Sequence, residues 1–395
     1  MKRRNGFSLI ELMVSMAVTM VITGAAIGAL IQAENVTTAV ALEANTQQNI
    51  RAGMHALVRD LAQAGEGIPQ AGLSVPSTAA LTSNIVRPGG IAGFFPAAYT
   101  ALPQVTPGSQ IGEDAKTLDP NTGAVQDALF KTDTITILYE DNTLVSSALG
   151  PGGVPAPLLN QYPVTQAAPA APVCSGVIAP SGLTVTLLPS CFTLPGGPVP
   201  LTVGDLIMFH NDLGTALEMV TDIAGSVITF SAGDPAGLNA TGLPQGTVAQ
   251  LNVGVVPTSI SRVWMVTYYV DSNTNPQRPQ LIRQVNYPNY PTVANASYPP
   301  QPVADIIENL TFSYDLLNST APGGTYALGP GNAPQPVNPD TPFNIRAVNV
   351  TLAGRSEYTY TATTAPQYFR NNLSTQVSIR SMAFVNSFPT PGNLP

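Results

Sequence analysis

Few residues in this chain have the chemistry of a reactive site. Two histidines, His55 and His210, and two cysteines, Cys174 and Cys191, are the whole stock of those types among 395 residues. Zinc usually takes four such ligands at close spacing, so no metal site and no cofactor is expected. A histidine base would need a nucleophile beside it, yet no G-x-S-x-G elbow occurs. His55 sits in a helical pattern and belongs on its surface; His210 follows the strand-like Leu206-Ile207-Met208-Phe209. Asp271-Ser272-Asn273-Thr274-Asn275 has the alternating oxygens of a calcium loop. Pro276 stands at its sixth position and Ile282 at its twelfth, where such a loop needs Gly and a bidentate Glu, so a solvated hairpin turn is expected. No phosphate-binding glycine motif appears. The chain is not expected to be an enzyme.

One carboxylate stands out by its surroundings. Residues 7–31 form an apolar run whose only polar side chains are Ser8, Glu11, Ser15, Thr19 and Thr23. As a helix this run is roughly 37 Å long, enough to cross a bilayer core of about 30 Å. Ser and Thr can bond to their own helix, but an acid inside a span costs about 2.5–3.5 kcal/mol at mid-depth. Glu11 therefore calls for a cationic partner. An α-amino group freed by a cut between Gly6 and Phe7 would lie about one helical turn away, on the same chain or a neighbour. Lys2, Arg3 and Arg4 precede the run, which keeps the N-terminus cytoplasmic and exports the rest. No A-x-A-like secretory cleavage site follows; the next residues are Gln32-Ala33-Glu34-Asn35.

The string Gly6-Phe7-Ser8-Leu9-Ile10-Glu11, after a short basic leader, resembles the class III signal of type IV pilins and type II secretion pseudopilins. The resemblance implies that a prepilin peptidase cuts after Gly6 and that the same enzyme N-methylates Phe7. Glu11 then becomes the acid at mature position five and takes part in subunit assembly. Gly28 occupies a position where major pilins often carry Pro. The implied partners are the peptidase/N-methyltransferase, other major and minor pilins, an inner-membrane assembly platform, and membrane lipid before assembly. The implied location is the bacterial inner membrane, single-pass with an exported C-terminal head, and then a pilus or pseudopilus.

These residues need a long helix to position them. Ile50, Met54, Leu57, Val58 and Leu61 continue an apolar helical face past the membrane run, while Arg51, His55 and Arg59 mark another face. Gly53 weakens the pattern by about 1 kcal/mol. Ala64-Gly65-Glu66-Gly67-Ile68-Pro69 ends it. From residue 70 the period becomes two. Strands are expected at Thr134–Tyr139, Asp205–His210, Leu217–Thr221, Ser226–Phe230, Arg262–Val270, Gln280–Val285, Leu310–Tyr314, Arg346–Leu352 and Gln376–Phe384, with a hairpin across Asp271–Pro279. Pro/Gly-rich stretches around 86–125, 150–200, 286–303 and 320–343 read as either insertions or mobile segments. The fold class is α+β: a long N-terminal helix, transmembrane in its first half, on a mainly antiparallel β-sheet head. The expected division is a leader at 1–6, a membrane and assembly helix at 7–31, its amphipathic continuation at 32–65, and a head at 66–395.

The segment 303–314 resembles the helical turn and strand of PilW-like minor pilins and the related J-type pseudopilins. Residues 345–355 and 374–386 resemble the two closing strands of that group, and Arg59-Asp60-Leu61 with Ala64-Gly65 also fits it. Together these imply a low-copy pilus subunit that primes or assembles the filament or sits near its tip. A type II secretion pseudopilin and a tip adhesin are the alternatives. In an exported head, Cys174 and Cys191 are expected to form a disulfide rather than stay as thiols; closing 16 intervening residues contributes about 3 kcal/mol. The net charge is −8, and without the leader there are twelve basic against 23 acidic residues, so general nucleic-acid binding is not expected.

Overall fold

A single helix, α1 (Leu9–Gln63), runs for 55 residues, roughly 80 Å, without a break. No proline interrupts it, and its apolar half is rich in Leu, Met and Ala, which favour helix. Ser8 precedes it in an extended conformation. At the other end Ala64 leaves helical angles and Gly65 adopts φ 76°. The Gly65 N–H donates to the Leu138 carbonyl at 2.8 Å, and the Glu140 N–H to the Glu66 carbonyl at 2.8 Å, so the helix end is tied directly to the head. This architecture comes from a computed structural model that describes residues 8–76, 85–89, 95, 100–141, 145–149, 155–157, 176–179, 181–187, 201–225, 227–240, 246–251, 258–287, 298–316, 325–326, 342–361 and 365–379.

Seven strands form the central sheet: β1 (Val105–Gly108), β2 (Thr134–Glu140), β3 (Leu206–Asn211), β4 (Gly214–Met219), β5 (Ser259–Asp271), β6 (Gln280–Val285) and β7 (Gln301–Asp305). The path is β4-β3-β5-β6-β7, and β2 pairs with the other edge of β5 and with β1. Three more strands, β8 (Ile307–Leu316), β9 (Ile345–Thr361) and β10 (Pro366–Ser378), form a second sheet in that order, with Thr325–Tyr326 at the outer edge of β8. Every pairing is antiparallel. The expected hairpin closes with Asp271 opposite Gln280.

Strand alternation sends one side chain set to the helix and the other away from it. Ile135, Ile137 and Tyr139 of β2, and Val266, Tyr268 and Val270 of β5, join Ile50, Met54, Leu57 and Leu61 of α1 in one core. Leu138, Val263 and Met265 join a second core with Ile68, Leu73 and Met219. Coverage on both faces explains why β2 is apolar or Thr nearly throughout.

The sequence expectations for these elements need three corrections. The segment before β8 is strand β7 rather than a helical turn; Ile306, at φ 56°, bends the chain between β7 and β8. The closing strand is β10, about ten residues earlier than Gln376–Phe384, and residues 380–395 lie outside the described set. Its polar sequence hides it, because only alternate side chains turn inward. The Pro-rich stretches also contain paired strands, including β1, Asp114–Leu118, Gly176–Ile178 and Thr184–Leu187. Pro107 is tolerated in β1 because that strand lies at an edge. The shift from Leu217–Thr221 to β4 is a matter of boundary.

Candidate functional site

The first half of α1 is a bare apolar surface. All described residues from Ser8 to Thr38 are exposed, with Leu9 at 77% and Val21 at 72%. Its length and apolar composition are sufficient to cross a membrane. Within that span the hydroxyls are already satisfied. Ser15 donates to the Leu12 carbonyl at 2.9 Å, Thr19 to Ser15 at 2.7 Å and Thr23 to Thr19 at 2.8 Å. Glu11 differs from them. One carboxylate oxygen accepts the Ser8 N–H at 3.4 Å, and among the described residues no cation pairs with it. The first half of the helix can thus enter lipid or lie against other apolar helices, presenting one acid near its end. Gly6 and Phe7 lie outside the described residues.

The second half of α1 is seated on the head, and a buried polar cluster fixes it there. Asp60, whose side chain is 1% exposed, accepts from the Tyr268 hydroxyl at 2.8 Å and from Arg283 Nε at 2.6 Å. Arg283 Nη2 reaches the Tyr139 hydroxyl at 3.3 Å, and Arg59 approaches Asp60 from solvent at 3.5 Å. One helix residue thereby grips β2, β5 and β6. Burial, with the Asp60 charge added, pushes the Tyr139 phenol up to about 12 and raises that of Tyr268 further. Burial alone would lower Arg283, but the Asp60 hydrogen bond and charge hold it above its ordinary value. Both phenols therefore stay neutral, Tyr268 donating to Asp60 and Tyr139 accepting from Arg283, and the ion pair carries the charge.

Gly53 marks the closest approach. A Cβ built there would lie 2.9 Å from Ala304 Cβ and 3.0 Å from Leu281 Cδ2. A side chain would hold the helix off β6 and β7. Asn49 extends the seat, its side-chain amide donating to the Asp305 carbonyl and its Oδ1 accepting the Asp305 N–H at 3.2 Å.

Other candidates lie apart from this arrangement. His55 is exposed on α1 and His210 is exposed on β3. The Asp271 carboxylate caps its own turn through the Asn273 and Thr274 N–H groups at 3.2 and 3.0 Å. Glu113 takes the Asn273 N–H at 2.7 Å and the Ser272 hydroxyl at 3.0 Å. These oxygens are engaged as turn caps. Cys174 and Cys191 lie outside the described residues. Sequence reasoning named Asp60 only within the Arg59-Asp60-Leu61 string of the minor-pilin resemblance, without a role. The signal was its spacing: three residues after Leu57, it falls on the buried side. Tyr268 and Arg283 carried no such signal, since their roles depend on strand pairing.

Comparison with known proteins gives one finding. Residues 1–27 match the family model described as the prokaryotic N-terminal methylation motif. No curated protein and no solved structure matches the chain.

Proposed function

We propose that this chain, a type IV pilin-like protein, is a low-copy structural subunit that helps to prime or assemble a filament or sits near its tip. Its N-terminal helix fits single-pass anchoring in the inner membrane with a C-terminal head. The observation that carries the reading is the continuity of α1. An apolar, uncovered half and a half seated on the head are one unbroken helix, so that whatever receives the first half positions the head.

On this reading residues 1–6 are a leader cut after Gly6, and Phe7 becomes the methylated terminus. Residues 7–31 serve as membrane and assembly helix, 32–65 as its seated continuation, and 66–395 as the head. Glu11 pairs with a terminal amine of its own or a neighbouring chain; methylation leaves that amine cationic. Within a filament core an unpaired carboxylate would be costly, while a paired one sets orientation. The low copy number is supported by the head's extra parts. A separate small sheet over Gly176–Ile178, Thr184–Leu187, Asp222–Ala224 and Val227–Thr229 adds bulk that would crowd a dense helical array. Cys174 and Cys191 form a disulfide in the exported head.

The test is mass spectrometry of the N-terminus of the native protein. The expected peptide begins at methylated Phe7 and lacks Met1–Gly6. An intact Met1 terminus would overturn the reading.

A further inference from the structure

The side of α1 turned away from the head carries a basic stripe. Arg51, His55 and Arg59 follow one another at four-residue steps and are exposed. The middle of the stripe lies about 160° around the helix from the middle of the seat. Arg51 pairs with no acid among the described residues, whereas Arg262, Arg278, Arg283, Arg355 and Arg370 are each ion-paired. Arg59 approaches Asp60 at 3.5 Å, but that carboxylate is already met by Arg283 at 2.6 Å, so the Arg59 charge is surplus. Neither Arg51 nor Arg59 has an acid three or four residues along the helix, the spacing at which a solvated face balances its charges. In a chain whose acids outnumber its bases, the stripe is a local excess of positive charge.

The stripe is continuous with the bare half of the helix. The same side stays exposed through Ala52, Gln48, Ala44 and Ala41 to the uncovered stretch before Ala39. Those small side chains let a second helix approach closely. Arg51 stands twenty residues, about 30 Å, beyond Ile31, too far for an upright helix to bring it to lipid headgroups. A second copy of α1 does not supply the missing acids either. Glu34 and Glu43 are nine residues apart, half a turn out of phase, so they cannot share a face. Glu43 is half-buried and accepts from Gln47 at 3.1 Å, and Asp60 is buried in the seat.

We propose that this stripe docks an acidic helix of a different, adjacent filament subunit, one whose exposed face carries two carboxylates seven or eight residues apart. Such acids are separated by about 10–12 Å along their helix, matching the rise of about 12 Å from Arg51 to Arg59. Each guanidinium can take a carboxylate through two N–H groups. The apolar half of α1 supplies the burial, and the stripe selects the neighbour by charge. This contact presupposes the filament subunit proposed above, and the experiment separates the two.

In cells that assemble the filament, His55 and, separately, Val21 of the full chain are replaced by the photo-crosslinker benzoylphenylalanine. Crosslinked peptides in the sheared filament fraction are mapped by mass spectrometry. Position 21 is expected to reach apolar helices of other filament subunits. Position 55 is expected to reach a helical peptide of another subunit with two acids seven or eight residues apart. Arg51→Glu should lower recovery of the chain in that fraction about tenfold, and lysines in place of the mapped acids should restore it. Arg51→Lys, which keeps the charge, should stay within about twofold of wild type. The crosslink map does not depend on how these variants fold. Crosslinking at 21 with none at 55, or wild-type recovery of Arg51→Glu, would overturn the docking and leave the filament subunit standing. A position-55 crosslink to a second copy, or to a peptide without such acids, would also overturn the docking. Absence of both crosslinks, with the chain missing from the filament fraction, would overturn the subunit reading as well.

Discussion

Tyr268 donates its hydroxyl to Asp60 across 2.8 Å, joining the middle strand of the central sheet to the last turns of α1. Because Arg283 shares the same carboxylate, the helix is held by a buried ion pair as well as by apolar packing.

Removing that carboxylate leaves the half-buried Arg283 without its ion-pair partner. Asp60→Ala is expected to lower stability by about 3–5 kcal/mol, the usual cost of breaking a buried pair from one side. Asp60→Asn keeps an acceptor and costs less. Urea unfolding of the full chain in detergent measures both; an Asn variant as stable as wild type would show that the charge is irrelevant.

Gly53→Ala tests two opposed effects. Helix propensity alone favours Ala by about 1 kcal/mol. The 2.9 Å approach to Ala304 makes overpacking the larger effect, typically 1–3 kcal/mol. The variant is therefore expected to be less stable, and Ala304→Gly to restore part of the loss. A stabilised Gly53→Ala protein would mean that the helix seats less closely than described.

Glu218 on β4 supplies a pH test. Burial raises its carboxyl well above the ordinary value, the Val248 N–H at 3.4 Å offsets this in part, and Asp234 adds to it. The folded state then holds a proton that the unfolded chain releases near its ordinary value of 4.5. Stability should be complete below that pH and should fall as pH rises toward the folded value. Glu218→Gln cannot ionise. Its thermal midpoint should exceed that of wild type at pH 7, and the gap should close near pH 4. A gap unchanged with pH would remove ionisation as its cause.

Glu11→Ala should leave the head fold unchanged, since Glu11 touches only Ser8 in the described structure. Its effect should fall on assembly. Immunoblots of the sheared filament fraction should show loss of the subunit with normal processing at Gly6. Wild-type incorporation would remove the pairing role.

Alkylation mass spectrometry of the unreduced exported protein should find neither Cys174 nor Cys191 labelled. Cys174→Ser should then cost about 3 kcal/mol. Labelling at both would mean free thiols.

Much of this architecture was legible because it depends on local pattern. The apolar run from Phe7 and the break at Ala64-Gly65 fall close to the limits of α1 at Leu9 and Gln63, and β6 matches its expected limits residue for residue. Glu11 was conspicuous because a charge in an apolar run violates the pattern around it. What stayed hidden depends on partners distant in sequence. Asp60 finds Tyr268 and Arg283 more than two hundred residues away, through strand pairings that no local window contains. β10 was misplaced because Asn, Gln and Ser are tolerated on the face that only half meets the helix.

The unbroken course of α1 also makes it a keyed shaft. Each residue turns the chain by about 100° and lifts it by 1.5 Å, so the azimuth of Glu11 is locked to that of Ile50 and Asp60. Inserting one residue within the bare stretch before Ala39 would swing the whole head by about 100° around the axis. Inserting seven would lift it by about 10 Å and return it to within about 20° of its original bearing. The direction in which the head faces around the helix axis is thus set by the count of residues between the bare half of α1 and its seat.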